Sequence, residues 1–221
     1  MKVFGLDGYK HGWVAVWIEG GEGGICFFKS INALLSHPHA RAMIDIPIGL
    51  PECGNRACDL EARRMLEKNR NRVFTGARRG LLTFEKYEQA NLWGRQHGAG
   101  VSRQLFSLIP KIAQVDGFID AQRQATLRET HPELVFLRLN RGCSLPSKKL
   151  REGIEVRRRL IRREGISGVD DWMDRQRFGT GAKADDVLDA CAAAVAARDW
   201  THRVPKEPKT DARGLKMEIW Y

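Results

Sequence analysis

Three short apolar runs fall within the first 29 residues, Lys2 to Asp7, Trp13 to Ile18 and Ile25 to Lys29, and only glycine-bearing turns separate them. Connections that short join antiparallel neighbours, because parallel strands need a crossover of a dozen or more residues. The chain therefore commits to three antiparallel strands at its start. A short helix is expected over Asn32 to Ser36. An apolar strand follows over Arg41 to Ile46, closed by Pro47 and the turn Gly49-Leu50-Pro51.

Beyond that turn the periodicity becomes helical. Helices are expected over Asp59 to Lys68 and Phe84 to His97, with an irregular, basic stretch from Arg70 to Thr83 between them. Residues 52–104 form a helical and basic insertion or lid in this reading. Leu105 to Gln122 is expected to be a helix with Pro110 in its first turn, and Thr126 to Thr130 a strand ended by His131-Pro132. Further helices are expected over Glu133 to Leu139, Ser147 to Glu164 and Ala184 to Trp200, and an added strand over Met217 to Tyr221. On Ser147 to Glu164, Leu150, Ile154 and Ile161 form one stripe, while Arg151, Arg158, Arg159 and Arg162 gather opposite. Long helical connections make the later strands parallel to the first. The expectation is one α/β domain over residues 1–221, with a mixed five-stranded sheet flanked by helices.

Charge narrows the partner. The chain has 37 Lys and Arg against 27 Asp and Glu, a net +10, which favours a polyanion such as DNA or RNA. The excess is concentrated: Arg56 to Arg79 holds eight basic residues against three acidic, and Lys148 to Arg163 eight against two. No apolar run approaches the length that crosses a bilayer, and no basic region leads into an apolar stretch at the N-terminus, so a cytoplasmic protein is expected. The five cysteines are odd in number and lack paired zinc-ligand spacing, which argues against a disulfide framework or a zinc knuckle.

The chemistry lies in the acids. Asp7 and Asp45 both stand near the ends of apolar strands that should lie side by side, where an unpaired charge is costly and a metal ion would offset the cost. At 100° per residue, Asp185, Asp186 and Asp189 share one sector of the last helix, opposite Val187, Cys191 and Val195, and Ala192, Ala193, Ala196 and Ala197 continue that sector. Small side chains there allow close approach to a neighbouring element. Asp185 is read as the helix cap, and Asp186 and Asp189 as functional. Hard oxygen donors in such a cluster suit Mg2+ or Mn2+, and two such ions hydrolyse phosphodiesters by activating water and stabilising the leaving oxygen.

These residues resemble the ribonuclease H-like superfamily, in which acids end the first and fourth strands and come from the last helix. Asp186-x-x-Asp189-Ala190 is similar to the C-terminal metal motif of Holliday-junction resolvases. More closely, the chain resembles the domain of unknown function 429 family, described as predicted nucleases. The matching segments are Gly5-Leu6-Asp7-Gly8 with Gly12-Trp13, Asp45-Ile46-Pro47-Ile48-Gly49-Leu50-Pro51, and Arg56 with Asp59 and Arg63. Further along are Glu129-Thr130-His131-Pro132-Glu133 with Phe136, Ser147-Lys148-Lys149, and Asp185-Asp186-x-x-Asp189-Ala190. The resemblance implies a ribonuclease H-like fold and adds Glu129 as a third-strand acid, with Glu133 a weaker candidate and His131 an aid to proton transfer.

A metal-dependent nuclease is thus expected, with Asp7, Asp45, Glu129, Asp186 and Asp189 catalytic and the first four as metal ligands. Arg56, Arg63, Lys148 and Lys149 would contact phosphates. Two rivals stand beside it. A non-catalytic nucleic-acid-binding protein of the same fold would bind salt-sensitively and ignore divalent ions. An ATP-dependent phosphoryl transferase of the actin or sugar-kinase type would bind nucleotide and, at this length, would need to work as a homodimer. No phosphate-loop motif supports the second rival.

Overall fold

In the computed structural model, which describes residues 1–35, 37 and 39–221, β1 (Val3–Tyr9) is the middle strand of a five-stranded sheet. β2 (Gly12–Glu19) and β3 (Glu22–Phe28) follow it as antiparallel neighbours. On its other side β4 (Arg41–Ile44) and then β5 (Leu127–Glu129) run parallel to it, giving the order β3-β2-β1-β4-β5. The tight turns and long crossovers read from the sequence account for both halves of this mixed sheet. α1 (Ile31–Leu35) ends where Ser36, the last residue of the expected helix, falls outside the described residues.

The chain clusters into two compact units. The first comprises Met1–Asp45, Thr126–His202 and Trp220–Tyr221, and holds the sheet; the second comprises Ile46–Ala125 and Arg203–Ile219. Residues 52–104, expected as an insertion, lie inside the second. That unit carries α2 (Ala57–Leu66), α3 (Tyr87–Gln96), α4 (Arg103–Phe118) and the strand β6 (Arg203–Val204). Pro110 lies inside α4 rather than in its first turn, because Ser102 caps the helix and accepts the Leu105 N–H at 3.0 Å. The chain carries past the missing proline N–H because Leu105, Ile109, Ile112 and Val115 bury one face.

In the first unit α5 (Pro132–Leu139), α6 (Arg151–Arg163), the short α7 (Val169–Asp171) and α8 (Ala184–Asp199) complete the layers. A π-helical turn over Trp172–Gln176, with α7 before it, was not legible in the sequence. α8 is buried on every side from Val187 to Ala197, so the expected contrast between its alanine and valine faces does not survive packing. A Cβ on Gly5 would lie 1.9 Å from the Ala194 nitrogen and 2.2 Å from the Ala190 oxygen. The helix therefore lies directly on β1, and glycine is what permits it. Near the chain end β7 (Ile219–Trp220) replaces the longer strand expected over Met217 to Tyr221.

Candidate active site

The last parallel pair between β1 and β4 is Leu6 with Ile44. Asp7 and Asp45 each stand one residue further, and the Asp45 N–H donates to the Leu6 carbonyl at 3.1 Å. β1 itself continues past Asp7 to Tyr9, held by β2, so only Asp45 leaves its strand. Side chains alternate across a sheet, so Asp7 shares the face of Gly5, against which α8 is pressed. Asp7 is 8% exposed and Asp189, from the second turn of α8, 4%.

Glu129 is not part of this face. It pairs with Ile44 in the row that includes Leu6, and the alternation sends it to the opposite side of the sheet. Glu129 is buried there. Glu133 is also turned to another purpose: both of its oxygens accept from Arg157, at 2.9 and 2.7 Å, in a buried pair. His131 caps α5, its Nδ1 lying 3.3 Å from the Glu133 N–H.

The capping roles on α8 are the reverse of those expected. Asp186, not Asp185, accepts the Lys183 N–H at 2.7 Å. It occupies the third helical position, which is where a reciprocal cap places its acid. Asp185 instead lies 3.7 Å from the Lys148 ammonium. That ammonium sits 2.5 Å from Asp189 Oδ2. Asp189 Oδ1 is buried with no hydrogen-bond partner.

The electrostatics follow from crowding. Burial pushes the Asp7 carboxyl well above its ordinary range, and the charges of Asp189, Asp45 and Asp186 push it further against the opposing pull of Lys148. Asp45 is pushed up to about 8 by burial and Asp189, with Lys148 again opposing. Asp186 rises to about 6 through burial, partly offset by the Lys183 N–H. Burial raises Asp189 as well, held back by Lys148. Burial works against the charge of Lys148, yet Asp189, Asp7 and Asp185 more than restore it, and the ammonium is held above its ordinary value. Tyr9, at the end of β1, is raised by burial and by Asp186. Neither Tyr9 nor the seating of Lys148 among the acids was foreseen; both depend on tertiary contact, and no local sequence signal carries them.

Among the described residues no group of three or more His, Cys, Asp and Glu side chains is arranged to hold a metal ion as it stands. The donor chemistry nevertheless suits one: buried carboxylate oxygens are the donors hard divalent ions take, and Asp189 Oδ1 is an orphan of the kind such an ion satisfies. Mg2+ is commonly held by one or two carboxylates, with water and substrate phosphate completing its shell.

The expected phosphate contacts divide. Lys149 is exposed. Arg56 is not available: it is 2% exposed, its guanidinium reaches Asp59 at 3.1 and 2.5 Å, and it also donates to the Ile48 carbonyl at 3.2 Å. Arg63 is half-buried and donates to the Val73 carbonyl at 3.0 Å. This motif stabilises the second unit from within. On α6, Arg158 and Arg162 are bound to Asp170, and Arg158 also to Asp174. Among the described residues no helix is long and apolar enough to cross a membrane.

A sequence model of the family described as "Protein of unknown function (DUF429)" matches residues 5–210. No curated protein and no solved structure matches the chain.

Proposed function

For a chain that belongs to the DUF429 family of proteins of unknown function, we propose a divalent-metal-dependent nuclease that hydrolyses nucleic acid phosphodiesters on a ribonuclease H-like scaffold. The single observation that carries the reading is the meeting of acids from three distant stretches, Asp7 from β1 and Asp189 from α8 buried, Asp45 after β4 and Asp186 from α8 half-buried. Their mutual repulsion calls for positive charge. Three antiparallel strands followed by two parallel ones, with acids on the first strand, after the fourth and on the last helix, support the scaffold assignment. The net charge of +10 supports a polyanionic substrate.

Asp7, Asp45 and Asp189 would hold the ion, with the oxygen of Asp186 not used in its cap beside them. Glu129, on the other face, drops out of the set. When bound, Mg2+ or Mn2+ supplies Lewis-acid stabilisation of the phosphate and a water of lowered pKa. The protein's own part is to exclude bulk water by burial and to keep Asp7 and Asp45 in register through the Asp45 to Leu6 hydrogen bond. Protons must leave Asp45 and Asp186 for the ion to enter, so metal affinity rises with pH through about 6 and about 8. Lys149 and the partly exposed Lys148 meet substrate phosphate. A cytoplasmic location belongs to the same proposal, resting on the odd, unpaired pattern of cysteines.

The test is a panel of labelled DNA, RNA, hybrid and junction substrates with Mg2+ or Mn2+. Asp7→Asn and Asp186→Asn should lower cleavage roughly hundredfold or more while leaving circular dichroism unchanged. Undiminished cleavage by Asp7→Asn sinks the proposal. Salt-sensitive binding without cleavage, indifferent to divalent ions, would favour a non-catalytic binder.

A further inference from the structure

We infer that Lys148 is a built-in cation of the acidic cluster, standing where a second divalent ion would otherwise sit, so that the site takes one Mg2+ or Mn2+ per chain rather than two. The inference rests on the metal-dependent reading above and fixes its stoichiometry.

Lys148 is not a loose surface lysine. Its turn is clamped to α6 from two directions: a Cβ on Gly153 would lie 2.0 Å from the Ser147 carbonyl oxygen, so the turn lies directly against the helix backbone, and Arg157 donates to the Pro146 carbonyl at 2.9 Å. Arg157 is itself fixed by Glu133 and by the Gly153 carbonyl at 2.8 Å. The backbone therefore delivers the ammonium to Asp189 Oδ2 at 2.5 Å and to within 3.7 Å of Asp185. A positioned side chain loses little entropy in staying there.

The donors set the count: Lys148 occupies one oxygen of Asp189, and the other, Oδ1, is the buried atom without a partner. The place for an ion is on the Oδ1 side, and like charge repels a second from the Lys148 side. The ammonium remains as a fixed point charge for a phosphate oxygen, the role the second ion plays in a two-ion site.

Bound Mn2+ is counted by electron paramagnetic resonance and calorimetry on the full chain at low salt, with thermal melts as a folding check. The wild type should bind one Mn2+ with no exchange-coupled signal. Lys148→Arg should also bind one, while Lys148→Ala should bind the first ion at least tenfold more tightly and admit a second. Two coupled ions in the wild type, or a single and weaker ion in Lys148→Ala, overturns the inference and leaves the metal site intact. No Mn2+ bound by any of the three overturns both readings. The wild-type and Lys148→Arg counts decide the matter even where Lys148→Ala does not fold.

Discussion

At the residue scale, the acids of the site are kept at a cost to the fold. Burial and the charge of Asp189 push the Asp45 carboxyl up to about 8 in the folded chain, against about 4 in an unfolded one. A carboxyl raised in this way stabilises fully below about pH 4, and its contribution is lost as pH rises through about 8. The metal-free protein should therefore lose stability across that window. Asp45→Asn, which stays neutral, should flatten the slope of urea midpoint against pH; parallel slopes would show that Asp45 is ionised more easily than its surroundings imply. Glu133 makes the opposite case. Arg157 is fully buried, and Glu133→Gln would leave its charge without a carboxylate, at an expected cost of about 3 kcal/mol in urea unfolding. A loss below about 1 kcal/mol would mean that the Pro146 and Gly153 carbonyls suffice. The place of Asp45 could be read from sequence because a charge ending an apolar run is a local signal, whereas the same signal at Asp7 falls inside β1, which β2 carries on to Tyr9. The third helical position of Asp186 is a local signal as well, and it makes Asp186 the cap where Asp185 is expected.

At the scale of elements, the site depends on how closely α8 approaches β1. Small residues along α8 signalled a close approach, and Gly5 supplies the other half of it. Gly5→Ala would drive a methyl into the Ala194 backbone, which cannot move as a flexible side chain can, and should destabilise by about 3 kcal/mol or more. Gly117→Ala is the matched control. It lies in α4 with nothing near its Cβ position, and should be neutral or stabilising by up to about 1 kcal/mol. Equal effects of the two substitutions in chemical unfolding would refute the close-packing account. α6 shows what periodicity leaves out. The expected stripes assign Arg158 and Arg162 to a basic face, yet their partners Asp170 and Asp174 lie in a segment whose helix was not foreseen.

For the whole molecule, the acid limb of stability has a separate origin in each unit. Burial opposes the charge of Asp211 in the second unit, but N–H groups of Leu50, Leu215 and Arg213, with Arg79, outweigh it and hold the carboxyl low. In the first unit Arg198 and Arg138 do the same for Asp199 against its burial. A depressed carboxyl stabilises above its unfolded value, and that contribution is lost as pH falls through the folded one. Unfolding midpoints should therefore fall below about pH 4, while raised values at the site make them fall again toward about pH 8 in the absence of divalent ions. Added Mg2+ should lift only the upper limb. A flat profile from neutral to alkaline pH without metal would contradict the burial of the acids.

The sequence by itself determined the mixed five-stranded sheet, since turn length decides whether neighbouring strands run antiparallel or parallel. It also determined that Asp45 follows the end of its strand and that acids open the last helix, because chain connectivity and a 100° helical step are local properties; that β1 runs on past Asp7 was decided by its pairing with β2. Which acids share a face was decided only by tertiary structure: register turned Glu129 away, packing buried α8 on every side, and Arg56 closed on Asp59. The seating of Lys148 on Asp189 belongs there too, because a contact between residues 41 positions apart depends on how α6 and α8 are set against one another, which no periodicity encodes.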